Sequence, residues 1–194
     1  MELEDAMELF SKVAKDFTVV LLARPKGPME NPVHVKDSLP VFDALELLRR
    51  YDCLVTENGM VVTKAETLER PVKILFFMLI MEVEYSLYKI LKQYADSPES
   101  LERLRSLQLN DMIREFFALQ DPFNIQDVYS KKQEMKSDLK AVSSFRNVNM
   151  HSNRKIDLET GFETVLKRKG QMLKLLDAMG QIMENLKAKK GKLV

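Results

Sequence analysis

The 194-residue sequence predicts an α+β protein that is mainly α, with a small α+β lobe over 1–70 followed by an antiparallel four-helix bundle over 71–194. Three observations carry that prediction. Short apolar runs punctuated by Pro and Gly fill the first 70 residues, helical periodicity dominates from Pro71 onward, and the connectors between the helical stretches are short. With 45% apolar and 30% charged residues, and only 6 Gly and 7 Pro, the chain is no collagen, low-complexity or wholly disordered sequence.

In the first lobe, Leu3, Met7, Phe10 and Val13 recur at helical spacing, and Phe17 to Ala23 has the length of a buried strand. Three prolines and a glycine make Arg24 to Pro32 a loop. Val33 to Val35 is short and extended, and Pro40 opens a helix with Val41, Ala44, Leu45 and Leu48 on one stripe. Cys53 to Thr56 and Met60 to Thr63 flank Glu57-Asn58-Gly59, and Asn-Gly supplies the positive φ of a hairpin turn.

The bundle begins with a helix from about Pro71 to Tyr94, Pro71 at its first position. Ser97-Pro98-Glu99 caps a second helix carrying Leu101, Leu104, Met112, Ile113, Phe116 and Phe117, and Asp121 to Asn124 breaks the pattern. A third helix starts near Asp127, with Val128, Met135, Leu139, Val142 and Phe145 on one face, and fades into the Asn-rich stretch from Asn147. The fourth, from about Asp157 to Leu186, carries Phe162, Val165, Leu166, Met172, Leu173, Leu176, Met179 and Met183 as its stripe.

One cysteine, Cys53, forms no internal disulfide and reads as a small core residue, and one Cys with two His is too few for a zinc module. The longest apolar run, Ile74 to Met81, is far short of the roughly 20 residues of a membrane helix. No signal or transit peptide is visible, so a cytoplasmic location is expected, with no membrane, metal or cofactor requirement. Ile74 to Met81 is apolar on nearly all sides, more than three neighbouring helices cover, which predicts a homodimer through the bundle. Net charge is +1, but residues 1–125 carry net −6 and 126–194 net +7, which points to an anionic partner for the second part. Lys167-Arg168-Lys169 and the C-terminal lysines would contact a phosphate backbone, or simply solvate helix faces.

The residues that carry chemistry are Arg146, Asn147 and His151. A permanently charged arginine grips phosphate bidentately and a histidine exchanges a proton near neutral pH, the minimum for cleaving a phosphodiester whose own 2′-hydroxyl is the nucleophile. Five positions turn a regular helix by about 140°, so Arg146 and His151 converge only across a helix end or a subunit interface. The set resembles the R-x4-6-H motif of the HEPN superfamily (higher eukaryotes and prokaryotes nucleotide-binding), and the resemblance covers roughly Pro71 to Lys187. It implies a four-helix bundle, dimerisation and, in many members, metal-independent ribonuclease activity on RNA. Arg146 would hold the scissile phosphate, Asn147 would orient it and His151 would act as acid or base. The alternative is a surface ion pair for Arg146 and a capping or loop role for His151.

In the first lobe, Val33 to Ser38, the helix Val41 to Arg50, the Asn58-Gly59 hairpin and Val61 to Glu66 look like one cystathionine-β-synthase (CBS) motif. In that family G-x-x-T-x-x-D follows the hairpin and touches an adenine nucleotide. Here Met60, Thr63 and Glu66 take the places of the Gly, Thr and Asp, so the resemblance makes Thr63 and Glu66 the nucleotide-binding candidates. Glu82 and Glu84 are a weaker pair of acids, two positions apart and so on different sides of a helix. The expected function is thus a metal-independent endoribonuclease regulated by its N-terminal lobe. The alternative is a non-catalytic regulatory module that binds an adenine nucleotide or a protein partner.

Overall fold

The structure, a computed structural model, describes residues 32–68, 70–119, 125–151 and 158–190. It is α+β and mainly α, with one three-stranded sheet. The helix expected over 1–16, the strand over 17–23, most of the loop that follows, and the break over 121–124 lie outside the described residues. No described helix is long and apolar enough to cross a membrane. Two compact units emerge: one takes the described residues up to Met78 and from Leu158 to Lys169, the other Leu79–His151 and the residues from Gly170.

The first unit is built on the order β1 (Pro32–Val35), α1 (Val41–Leu48), β2 (Cys53–Thr56) and β3 (Val61–Thr63). Strand β2 is central, pairing parallel with β1 (Val33 opposite Leu54) and antiparallel with β3 (Leu54 opposite Val62). A parallel pair needs a crossover, and α1 provides it. Its Val41, Ala44, Leu45 and Leu48 are all buried, the stripe the spacing predicts. Pro40 opens the helix from the N-cap, where its carbonyl accepts from Asp43 and Ala44 N–H, each at 3.0 Å. All four β2 residues are buried, Cys53 among them.

The hairpin turns through a three-residue loop. Gly59 N–H donates to Thr56 O at 2.9 Å, Thr56 N–H donates to Met60 O at 2.8 Å, and Gly59 takes φ +72°. A left-handed glycine closing such a loop relieves the strand of a residue that would otherwise be strained. Past β3 the chain enters a 3-10 turn, Glu66–Leu68, and then α2 (Arg70–Lys92).

The second unit holds the later turns of α2 with α3 (Pro98–Ser106), α4 (Leu109–Ala118), the short α5 (Ile125–Val128), α6 (Lys132–His151) and the later turns of α7 (Leu158–Lys190). The single helix expected after Ser97 is two helices, because Leu107 and Gln108 leave the helical region with ψ of 138° and 162°. Helix α3 buries no residue, so nothing apolar holds it in line with α4, which buries Leu109, Met112, Ile113 and Phe116 against α6. Ser97 and Ser100 cap α3 reciprocally, each side chain accepting from the other's N–H at 3.1 Å.

Two more boundaries differ from expectation. Val128 belongs to α5 rather than to the long helix after it, and α6 does not fade after Phe145 but continues to His151. On α7 the buried line runs through Phe162, Val165, Met172, Leu175, Ala178, Met179, Ile182 and Leu186, whereas the expected Leu173 is exposed. Leu173 and Leu175 stand about 160° apart around the helix with Leu176 between them, so composition leaves the phase open and packing selects Leu175.

Polar clasps complete this unit. The buried Tyr129 hydroxyl donates to Asp138 on α6 at 2.5 Å, and Gln171 on α7 donates to the other Asp138 oxygen at 2.6 Å. Burial and the Asp138 carboxylate push the Tyr129 phenol pKa far up, which keeps it a donor.

Candidate active site

The apolar rows of two helices decide where the candidate residues stand. On α6, Met135, Leu139, Val142 and Phe145 are buried, and Arg146, next after Phe145, falls at the margin of that face with its side chain 33% exposed. On α2, Val83 and Leu87 are buried, and Glu84 falls at the matching margin, 17% exposed. Arg146 Nη1 lies 3.2 Å from Glu84 Oε2. The arginine that the sequence offers as a phosphate grip is thus an ion-pair partner, though of a half-buried carboxylate rather than of a surface one.

The pair is electrostatically unbalanced. Burial raises the Glu84 carboxyl pKa above its ordinary value, and Arg146 offsets that only in part. Oε2 is itself buried and accepts no hydrogen bond from the described residues. Glu82 is also pushed up by burial, with Lys89 opposing, and Lys89 Nζ sits 4.3 Å from the Tyr85 ring centroid. Glu82 and Glu84 therefore do not form an acid pair; each answers to a different cation.

Asn147 is exposed on α6, and His151 is the last residue of that helix. Because α6 is continuous, positions 147 and 151 share a face while 146 and 151 stand about 140° apart around the axis. A helix end after Phe145 no longer offers a way of bringing 146 and 151 together within one chain.

No family model, curated protein or solved structure matches the chain.

Thr63 and Glu66 of the first unit are brought together, but chiefly by each other. Glu66 Oε2 accepts from Thr63 N–H at 2.8 Å and from Thr63 Oγ1 at 2.5 Å, while Thr63 Oγ1 accepts from Ala65 N–H at 3.2 Å. This is half of a capping box at the start of the 3-10 turn, with Ala65 N–H bonded to Thr63 Oγ1, and its signal, Thr-x-x-Glu, is legible in the sequence. The two residues already have local work.

Lys169, one of the basic residues offered to a phosphate backbone, is 8% exposed and donates to Glu46 at 2.8 Å and to Phe42 O at 3.1 Å. It is withdrawn from solvent and fixed to α1. A third feature was invisible beforehand. Beyond the C-terminal ends of the parallel strands β1 and β2 lies an open cavity of about 390 Å³, lined by His34, Val35, Lys36, Val55, Thr56, Glu57 and Gly59. Among the described residues no group of three or more His, Cys, Asp or Glu side chains is placed to hold a metal ion.

Proposed function

We propose that the chain is a metal-independent endoribonuclease of the HEPN type, acting in the cytoplasm as a homodimer through a four-helix HEPN-like bundle. The observation that supports this most is the half-buried Arg146–Glu84 pair close along α6 from Asn147 and His151. A guanidinium held at a margin, charged and only part-covered, suits an RNA phosphate better than a freely waving surface arginine, because less ordering remains to be done on binding. Arg146 grips the scissile phosphate, Asn147 orients it and His151 exchanges a proton with the reacting oxygens. The wide angle between positions 146 and 151 favours an arrangement in which two copies share the site.

The test is cleavage of a mixed RNA pool in excess EDTA by the wild type beside Arg146→Ala and His151→Ala. The reading expects products from the wild type alone, ending in 2′,3′-cyclic phosphate. Equal inactivity of all three removes it.

A second reading, a non-catalytic regulatory module binding an adenine nucleotide or a protein partner, is favoured by the β1-α1-β2-β3 order, which agrees with a CBS-like lobe, and by the cavity at the parallel strand ends. Open sheets bind ligands beyond the carboxyl ends of parallel strands. A nucleotide bound there raises the melting temperature by mass action. Loss of that shift in Lys36→Ala would place the ligand in the cavity, and loss in Thr63→Ala would place it at Thr63 and Glu66. An unchanged melting temperature with every nucleotide removes sensing.

A further inference from the structure

Cleavage of RNA through its own 2′-hydroxyl needs two proton transfers, one from the attacking oxygen and one to the leaving oxygen. The chain has two histidines, and only His151 belongs to the unit that carries Arg146; His34 lies on β1 of the other. Because positions 146 and 151 stand about 140° apart on the continuous helix, a site shared by two copies pairs each Arg146 with one His151, that of the other copy, and a second proton-transfer group is required near Arg146. One titratable side chain is paired with that guanidinium among the contacts described, and it is Glu84.

We propose that Glu84 is the general base of the reaction, with His151 as the acid, an inference that rests on the ribonuclease reading above. In the free protein the carboxylate is masked: Oε2 is buried and lies 3.2 Å from Nη1 of Arg146. An RNA phosphate competes for the same guanidinium: it can take two hydrogen bonds from it, whereas Glu84 Oε2 holds it at 3.2 Å without one. The carboxylate then keeps its burial and loses its compensating cation, the condition that makes a carboxyl group basic. Oε2, which is buried in the free protein and accepts no hydrogen bond from the described residues, then accepts one from the 2′-hydroxyl on the side that Arg146 has left. Glu84 takes the 2′-O–H proton as the 2′-oxygen bonds to phosphorus. The P–O5′ bond breaks and His151 protonates O5′, leaving a 2′,3′-cyclic phosphate and a 5′-hydroxyl. Phosphate binding and base activation are one event.

The test is Glu84→Gln, which keeps a carbonyl oxygen toward Arg146 but cannot take the proton. With RNA in EDTA, kcat is expected to fall at least about a hundredfold with KM little changed, and the acid limb of the pH–rate profile to disappear. Arg146 is the charged group acting on Glu84 among the described residues, so that limb reports the carboxyl. Wild-type kcat in a folded Glu84→Gln variant overturns the proposal while leaving the ribonuclease reading intact. If that variant does not fold, the wild-type profile decides, because a rate flat through the acid range overturns the proposal by itself. A wild type that cleaves no RNA overturns both.

Discussion

Lys169 and Glu46 form an ion pair of unequal burial: the lysine side chain is 10% exposed, that of its carboxylate partner 54%, and their atoms are 2.8 Å apart. The inequality makes the two deletions different. Glu46→Ala leaves an ammonium buried with the Phe42 carbonyl and the face of the Phe42 ring, 5.5 Å away, and is expected to cost about 1–3 kcal/mol. Lys169→Met keeps the packed stem and leaves a carboxylate that water can solvate, so it should cost clearly less. Urea denaturation of the two variants measures the order, and equal losses would contradict it.

The same pair gives an acid dependence. The Lys169 hydrogen bond holds the Glu46 carboxyl below its ordinary value. A depressed carboxyl pKa stabilises the fold above the unfolded pKa, near 4.5, and that stability is lost as pH falls through the folded value. Wild type and Glu46→Gln should therefore converge in stability as the solution is acidified below about pH 4. Melting temperatures over a pH series check it.

Glu84 has the opposite sign. Its carboxyl pKa is raised, so its contribution is most favourable below the unfolded pKa and is lost as pH rises through the folded one. Glu84→Gln is expected to melt no lower than the wild type at neutral pH, its relative advantage growing from acid to neutral. A protein that gains stability when it loses its proposed base would show the trade between activity and stability that active sites make.

Tyr129→Phe removes the donor to Asp138 and leaves a carboxylate oxygen short of a partner, at an expected cost of about 1–3 kcal/mol. Because Gln171 still serves the other oxygen, Gln171→Ala on top of Tyr129→Phe should cost more than the sum of the two single changes. A double-mutant cycle by chemical denaturation measures the excess, and strict additivity would contradict a shared network.

Gly59→Ala tests the hairpin. A Cβ there would meet nothing within 4 Å, so any loss comes from the φ of +72° alone, about 1–2 kcal/mol. An unchanged urea midpoint would show that the loop relaxes to another turn.

Much of the α+β unit was legible because its signals are local. Val41, Ala44, Leu45 and Leu48 repeat at helical spacing, Asn58-Gly59 marks a turn, and both appear where the residues put them. The helical region was legible as helix but not in its breaks. Leu107-Gln108 carries no proline or glycine, and α3 separates from α4 although it has Leu101 and Leu104, because neither is buried. On α7, three leucines within four positions left the buried face undecided, and only packing chose Leu175 over Leu173. The site was half legible: Arg146 stood out by its chemistry, but its partner Glu84 lies 62 positions earlier, and no spacing rule links them. Likewise the Thr63-x-x-Glu66 cap was readable as a local motif, whereas the Lys169–Glu46 pair, 123 positions apart, was not.

The most direct measurement is the product end of a single defined RNA oligonucleotide, incubated with the wild type in excess EDTA beside an Arg146→Ala, His151→Ala double variant prepared identically. The account predicts a 2′,3′-cyclic phosphate and a 5′-hydroxyl from the wild type and intact RNA from the variant. Intact RNA in both, or equal cleavage in both, would contradict it.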